Sequence, residues 1–206
     1  MNDYFQRELN RIKEVHFFLR PVLSKALESH LIADEIRKHV GNYANYKEIW
    51  TTSFSDRFFD MATAIRLGSA IEGCLKAYYM DKKGHSNIPD LEADPSYKKN
   101  IFQRVQSWQP DGVIPLYKNE LGYDLSTNHE LPAVQEAMMH RHLYAHNSGI
   151  IDDSYIDKIK KITGDDIATD ATIAASYPNH DTYWFEPLKK LNEFIEAAWR
   201  FFDAFP

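Results

Sequence analysis

The chain has 206 residues, with 24 Lys+Arg against 30 Asp+Glu and a formal net charge of −6. At ~150 residues per domain, that length suits one large domain or one domain with an extension. Hydrophobic residues at 44 % and charged residues at 26 % exclude a disordered tail. The single cysteine, Cys74, excludes an intramolecular disulfide and a cysteine-built zinc site. The acidic balance speaks against a broad nucleic-acid-binding face. The charged start, Met1-Asn2-Asp3-Tyr4-Phe5-Gln6-Arg7-Glu8, lacks the apolar stretch of a signal peptide. No run approaches the roughly 18 apolar residues of a membrane span, so a cytoplasmic protein with no membrane partner is expected.

In chain order, Phe5, Leu9, Ile12, Val15 (or His16) and Leu19 recur at helical spacing and predict a helix over residues 3–39. Pro21 should kink or restart it, because proline lacks an N–H and clashes with the previous turn. Gly41 to Asn45 is turn-like and closes this section. Ser53 or Ser55 can cap the next helix, which carries Phe58, Phe59, Ala62, Ile65, Ala70, Ile71, Leu75, Tyr78 and Tyr79 before ending at Asp81 to Gly84. Gly68 and Gly73 lie inside it at a cost of about 1 kcal/mol each, and small residues there point to close helix approach.

Residues 85–98 read as a polar connection. A helix is expected over 98–108, another from Val113 to Leu121 ending at Gly122, and a third from Glu130 to His146. In the third, Leu131, Val134, Ala137, Met138, Leu143 and Ala145 are available for packing, and Asn147-Ser148-Gly149 forms its stop. Asp152 or Asp153 caps a short helix to Lys161. Residues 164–181 look irregular, with weak strand-like alternation at Ile167, Thr169, Thr172, Ile173 and Tyr177. A last helix, over 183–205, puts Leu188, Leu191, Phe194, Ile195, Ala198, Trp199 and Phe202 on one face. The fold class expected is all-α: a helical bundle over 51–206 with an N-terminal helical extension over 1–50 packed on it.

One segment concentrates chemistry: His140-Arg141-His142-Leu143-Tyr144-Ala145-His146-Asn147-Ser148-Gly149-Ile150-Ile151-Asp152. Arg141 offers a planar fork of donors suited to phosphate oxygens, and a histidine can move a proton near neutrality. Such a set suits metal-free RNA cleavage. A histidine takes the proton of a 2′-hydroxyl, which attacks the adjacent phosphorus, while Arg141 stabilises the growing phosphoryl charge. The product is a 2′,3′-cyclic phosphate. At ~100° per residue Arg141 and His146 lie ~140° apart around the helix, whereas His142 and His146 share a face.

The run Arg141-His142-Leu143-Tyr144-Ala145-His146-Asn147, with Gly149 and Asp152 beyond it, resembles the Arg-x4-6-His signature of the HEPN superfamily, over roughly residues 54–206. It is close to a subgroup found in bacterial toxin, abortive-infection and defence settings. The resemblance implies a helical bundle that pairs as a homodimer around a composite cleft and cleaves RNA with no metal or other cofactor. It also implies roles. Arg141 would hold the scissile phosphate, His146 would act as general acid/base, His142 and Asn147 would polarise or position, and Glu72 would face the motif. An antitoxin or a second defence protein is the further partner implied. Toxins of this type controlled by a nucleotidyltransferase often carry Tyr two residues after the His; Ser148 stands there in this chain.

Other readings of the same residues stay open. Arg141 can pair with Glu72 or Glu136, and His146 can satisfy its own helix's carbonyls. His142-x-x-x-His146 has metal-ligand spacing and would need His140 or Asp152 as a third donor. The bundle can equally be a non-catalytic interaction or dimerisation module. Cys74 reads as a small core residue, and Lys98-Lys99 and Lys158-Lys160-Lys161 as a solvated face.

Overall fold

The computed structural model describes residues 3–22, 25, 52–146, 151–167 and 190–206. The fold is all-α, with seven α-helices and no strand among the described residues. They are α1 (Asp3–Glu14), α2 (Thr52–Lys83), α3 (Ile88–Glu92), α4 (Val113–Leu121), α5 (Leu131–His146), α6 (Asp153–Thr163) and α7 (Leu191–Asp203). A π-helical stretch, Val15–Leu19, continues α1, and 3-10 turns occupy Ile101–Gln103 and Leu125–Thr127. None of these helices is long and apolar enough to cross a membrane.

The bundle is built around α5. Every residue from Val134 to His140 is buried, so this helix has no solvent face along two turns. The long α2 lies on one side of it, and α6 and α7 cover others; α1 packs on both α2 and α7. The side chains that fill the α2 side are Ala64, Leu67, Ala70, Ile71, Cys74, Leu75, Tyr78 and Tyr79. From α7 come Leu191, Phe194, Ile195, Ala198, Phe201 and Phe202. Burying a side chain of this size stabilises by roughly 1.5–3 kcal/mol, so the α2–α5–α7 layer carries much of the fold's stability.

The ends of α5 are fastened by polar contacts. Asn128 accepts from the Glu130 backbone N–H at 3.0 Å and donates to the Phe201 carbonyl at 3.1 Å. Arg200 grips Glu130 with two N–H groups, at 2.5 and 3.2 Å. These bonds tie the start of α5 to the end of α7.

Several boundaries depart from the sequence pattern for identifiable reasons. α2 begins at Thr52, so Ser53 and Ser55 fall within its first turns and not ahead of it. The connection after it contains α3, which Asn87 starts by accepting from the Asp90 N–H at 3.0 Å, with Pro89 in the first turn. Conversely, the helix expected over 98–108 shrinks to one 3-10 turn. Backbone groups there are engaged elsewhere: Val105 accepts from Gln135 Nε2 at 2.7 Å, and Arg104 accepts from the Val113 N–H at 2.9 Å. Near the start, His16 and not Val15 takes the buried position, and Leu19 is half exposed. The π winding ends just before Pro21, whose ring would crowd the carbonyl four residues earlier in an ordinary helix. On α2, Ala62 is exposed; on α5, so is Ala145. α4 and its stop at Gly122 (φ +66°), and α6 with its Asp152 cap, fall where the sequence puts them. The rest of the helix expected to residue 39 (Lys25 apart), the turns at 41–45 and 147–149, residues 168–181 and the 183–189 part of the expected last helix, with Leu188, lie outside the described residues.

Gly112 closes the 104–113 loop. A Cβ there would lie 2.4 Å from the Arg104 carbonyl oxygen, a backbone atom that cannot step aside. Gly112→Ala is therefore expected to cost about 1–3 kcal/mol, read as a lower urea midpoint at unchanged m-value.

Candidate functional site

Arg141 is the first residue of α5 to emerge from the enclosed stretch, and its side chain is 16 % exposed. Its aliphatic stem crosses α2 at Gly68. A Cβ on that glycine would sit 2.4–2.8 Å from Arg141 Cδ, Cβ and Cγ. One turn further along α2, Glu72 Oε2 accepts from Arg141 Nη2 at 3.3 Å. The other oxygen, Oε1, accepts from Gln103 Nε2 at 3.1 Å. The Arg141 Nε is buried and finds no hydrogen-bond partner among the described residues. The Nη end is the polar part still open to a ligand.

His142 and His146 lie on the exposed side of α5, their rings 4.8 Å apart. The His142 pKa is lowered below 6.5, first by partial loss of water, then by His146, Lys158 and Arg141; Asp152 pulls the other way. Near neutral pH its imidazole is uncharged and able to accept a proton. The charges of Lys158 on α6 and of Arg141 thus both bear on the His142 ring. Asp152 is the cap of α6, accepting from the Tyr155 N–H at 2.7 Å.

Of the residues expected in the site, Glu72 meets Arg141, and His142 meets His146. The hydrogen bond of Arg141 goes to Glu72 and not to either histidine. Glu136, the other carboxylate considered for Arg141, pairs instead with Lys190 at 3.2 Å. Asn147 lies outside the described residues. Gly68 and Gln103 enter as residues the sequence did not single out for this site. Gly68 precedes Glu72 by four residues on one stripe of α2, a spacing that was readable; Gln103 reaches Glu72 only through the loop that replaces the expected helix.

His140 is excluded as a metal donor. It is 2 % exposed and walled in by α6 and α7. The Tyr155 hydroxyl lies 2.6 Å from its Nδ1, and Glu136 Oε1 lies 3.6 Å from its Nε2. Burial holds the Tyr155 phenol protonated, so it donates to Nδ1 and leaves the ring proton on Nε2, toward Glu136. Burial lowers the His140 pKa, against the pull of Glu136. Burial also pushes Glu136 upward, but His140 and Lys190 outweigh it and hold the carboxyl below its usual value. No cluster of three His, Cys, Asp or Glu side chains with metal-site geometry occurs among the described residues. Cys74 is fully buried, its thiol pushed up to about 12 by loss of water, which removes it as a nucleophile. Three of the remaining lysines are engaged: Lys98 lies 4.0 Å from Asp111, Lys160 binds Asp166 at 2.7 Å, and Lys161 sits over the Trp108 ring.

No family model, curated protein or solved structure matches this chain. Its chemistry has to be read from the side chains themselves. They make an anion-seeking guanidinium, held by a carboxylate, beside a pair of exposed imidazoles.

Three histidines give a pH signature. His16, His140 and His142 all sit below 6.5 in the fold, burial being the first cause for each. The folded chain then binds fewer protons than the unfolded one in the window just below 6.5, so stability falls as pH drops through it. Glu136 and Glu130, held below 4.5, add their loss only at lower pH. Thermal unfolding should show a lower Tm at about pH 5.5 than at about pH 7.5, with a shallower fall in His140→Gln.

Proposed function

We propose that the chain is a metal-independent endoribonuclease of HEPN type, acting as a toxin or anti-phage defence effector. In this reading Arg141 holds the scissile phosphate through its Nη groups. His142, uncharged near neutrality, or His146 takes the 2′-hydroxyl proton, and the other imidazole protonates the departing 5′-oxygen. Arg141 and His146 point to different sides of α5, so the reading includes a homodimer, in which the second copy's motif completes the cleft. Glu72 orients Arg141 and takes no proton.

The observation that carries the reading is the unsaturated guanidinium of Arg141 on the α2 side of the end of α5, with two exposed imidazoles on the open side of the same turns. The test is cleavage of total RNA in EDTA. Wild type should give 2′,3′-cyclic phosphate ends, and Arg141→Ala and His146→Ala should each lower the rate by about 10²-fold or more. RNA left intact by wild type, or cut only with added divalent metal, defeats the proposal. Few phosphate contacts also mean a shallow salt dependence of binding.

A non-catalytic interaction module is the second reading, favoured by the Arg141–Glu72 contact, which can serve the fold alone. It expects Arg141→Ala to leave the biological effect intact and to lower stability only.

A further inference from the structure

Arg141 is placed by two residues of other segments, one on α2 and one in the 3-10 turn. The first is Gly68. Its missing side chain leaves a slot through which the Arg141 stem crosses α2, with Cβ, Cγ and Cδ all within 2.8 Å of where an alanine methyl would be. Arg141 Cβ is fixed to the backbone of α5, so the clash cannot be relieved by swinging the guanidinium alone. Ordinary carbon contacts need ~3.5 Å, so a methyl at 68 forces α2 and α5 apart by about 1 Å or pushes the arginine out.

The second is Gln103. Glu72 is half buried, on the edge of α2, and a free carboxylate there could rotate toward water. The Gln103 amide holds Oε1, which fixes the carboxylate plane and aims Oε2 at Arg141 Nη2. Together Gly68 sets where the stem lies, and Gln103, acting through Glu72, sets where the charged end points.

We propose that Gly68 and Gln103 are positioning residues for Arg141. They hold its guanidinium in one place, with its Nε buried and Nη2 on Glu72, which leaves Nη1 for a ligand. The placement is a property of the folded chain; its kinetic consequence rests on the ribonuclease reading above. A guanidinium that holds the phosphate and meets the further charge that grows on it as the 2′-oxygen attacks affects turnover more than substrate affinity, because the interaction is strongest in that step. Misplacing it by ~1 Å is enough to slow the reaction substantially.

The experiment uses the full chain, labelled with 15N, and two variants. Gln103→Met keeps the volume and deletes the donor, and Gly68→Ala fills the slot. The Arg141 Nε–Hε resonance, identified by its loss in Arg141→Lys, reports placement without any substrate. In wild type it should be resolved and slow to exchange, because Nε is buried. In each variant it should shift or broaden. On RNA, Gln103→Met should lower kcat about tenfold with KM changed less than about twofold, at an unfolding midpoint close to wild type. An unchanged Arg141 resonance in Gln103→Met overturns the proposal, and that variant decides alone if Gly68→Ala does not fold. A shifted resonance with unchanged kcat overturns its kinetic half. A shifted resonance in a protein whose wild type cuts no RNA upholds the placement and defeats the ribonuclease reading instead.

Discussion

The fold depends on enclosing α5 on all sides while that helix carries polar side chains in its middle. Gln135, Glu136 and His140 are each buried, and an unmet polar group there would cost roughly 1–3 kcal/mol. The neighbouring segments are shaped by the need to meet them. Gln135 donates to the Val105 carbonyl, and Gln106 donates back to the Gln135 carbonyl at 3.2 Å. Tyr155 reaches His140 from α6, and Lys190 reaches Glu136 from the start of α7. Three separate stretches of chain are thus keyed to one helix by polar contacts whose geometry tolerates little slippage, while apolar burial supplies the bulk of the driving force.

That enclosure also explains where the candidate site lies. Cover on α5 runs out at Arg141, where one side is still closed by α2 and the other opens to water. The long side chain solves this boundary by laying its stem on Gly68 and presenting its charge at the rim. Gly68 costs about 1 kcal/mol of helix propensity relative to Ala, but the alternative is a steric conflict along a major helix–helix contact. His142 and His146, one turn apart on the open side, then share the corner with Arg141. Position along one helix, and not a dedicated loop, sets the chemistry.

Much of this was legible in the sequence because it rests on local signals. The 3.6-residue periodicity marked α2, α5 and α7. Val113 and Gly122 marked the ends of one shorter helix, and Asp152 or Asp153 the start of another. The Arg141–His146 run stood out by residue type, and Glu72 entered only as the acid that the resemblance implies would face it. What stayed hidden was set by partners far away in the chain. Nothing local announces that residues 104–106 give up a helix so that Val105 can serve Gln135, or that Gln103 then falls beside Glu72. The burial of His140 was hidden for the same reason. A histidine next to Arg141 looks like part of the motif until α6 brings Tyr155 against it.

The arginine pairs within this one molecule bear on whether Arg141 is structural or aimed at a ligand. Arg20 holds Asp60 with two bonds, at 2.7 and 2.9 Å, and Arg200 holds Glu130 with two, at 2.5 and 3.2 Å. Both use the planar fork fully, as arginines that fasten elements together do. Arg141 makes a single long bond to a carboxylate whose second oxygen is already taken by Gln103. Such a contact orients the guanidinium without occupying its fork. A two-pronged pair here would occupy the fork and close it to phosphate; the single one leaves a donor at the rim of an otherwise acidic chain. The net charge of −6 therefore weighs against a broad electrostatic grip on nucleic acid, but not against a small corner where Arg141 and Lys158 bring positive charge to the histidine pair.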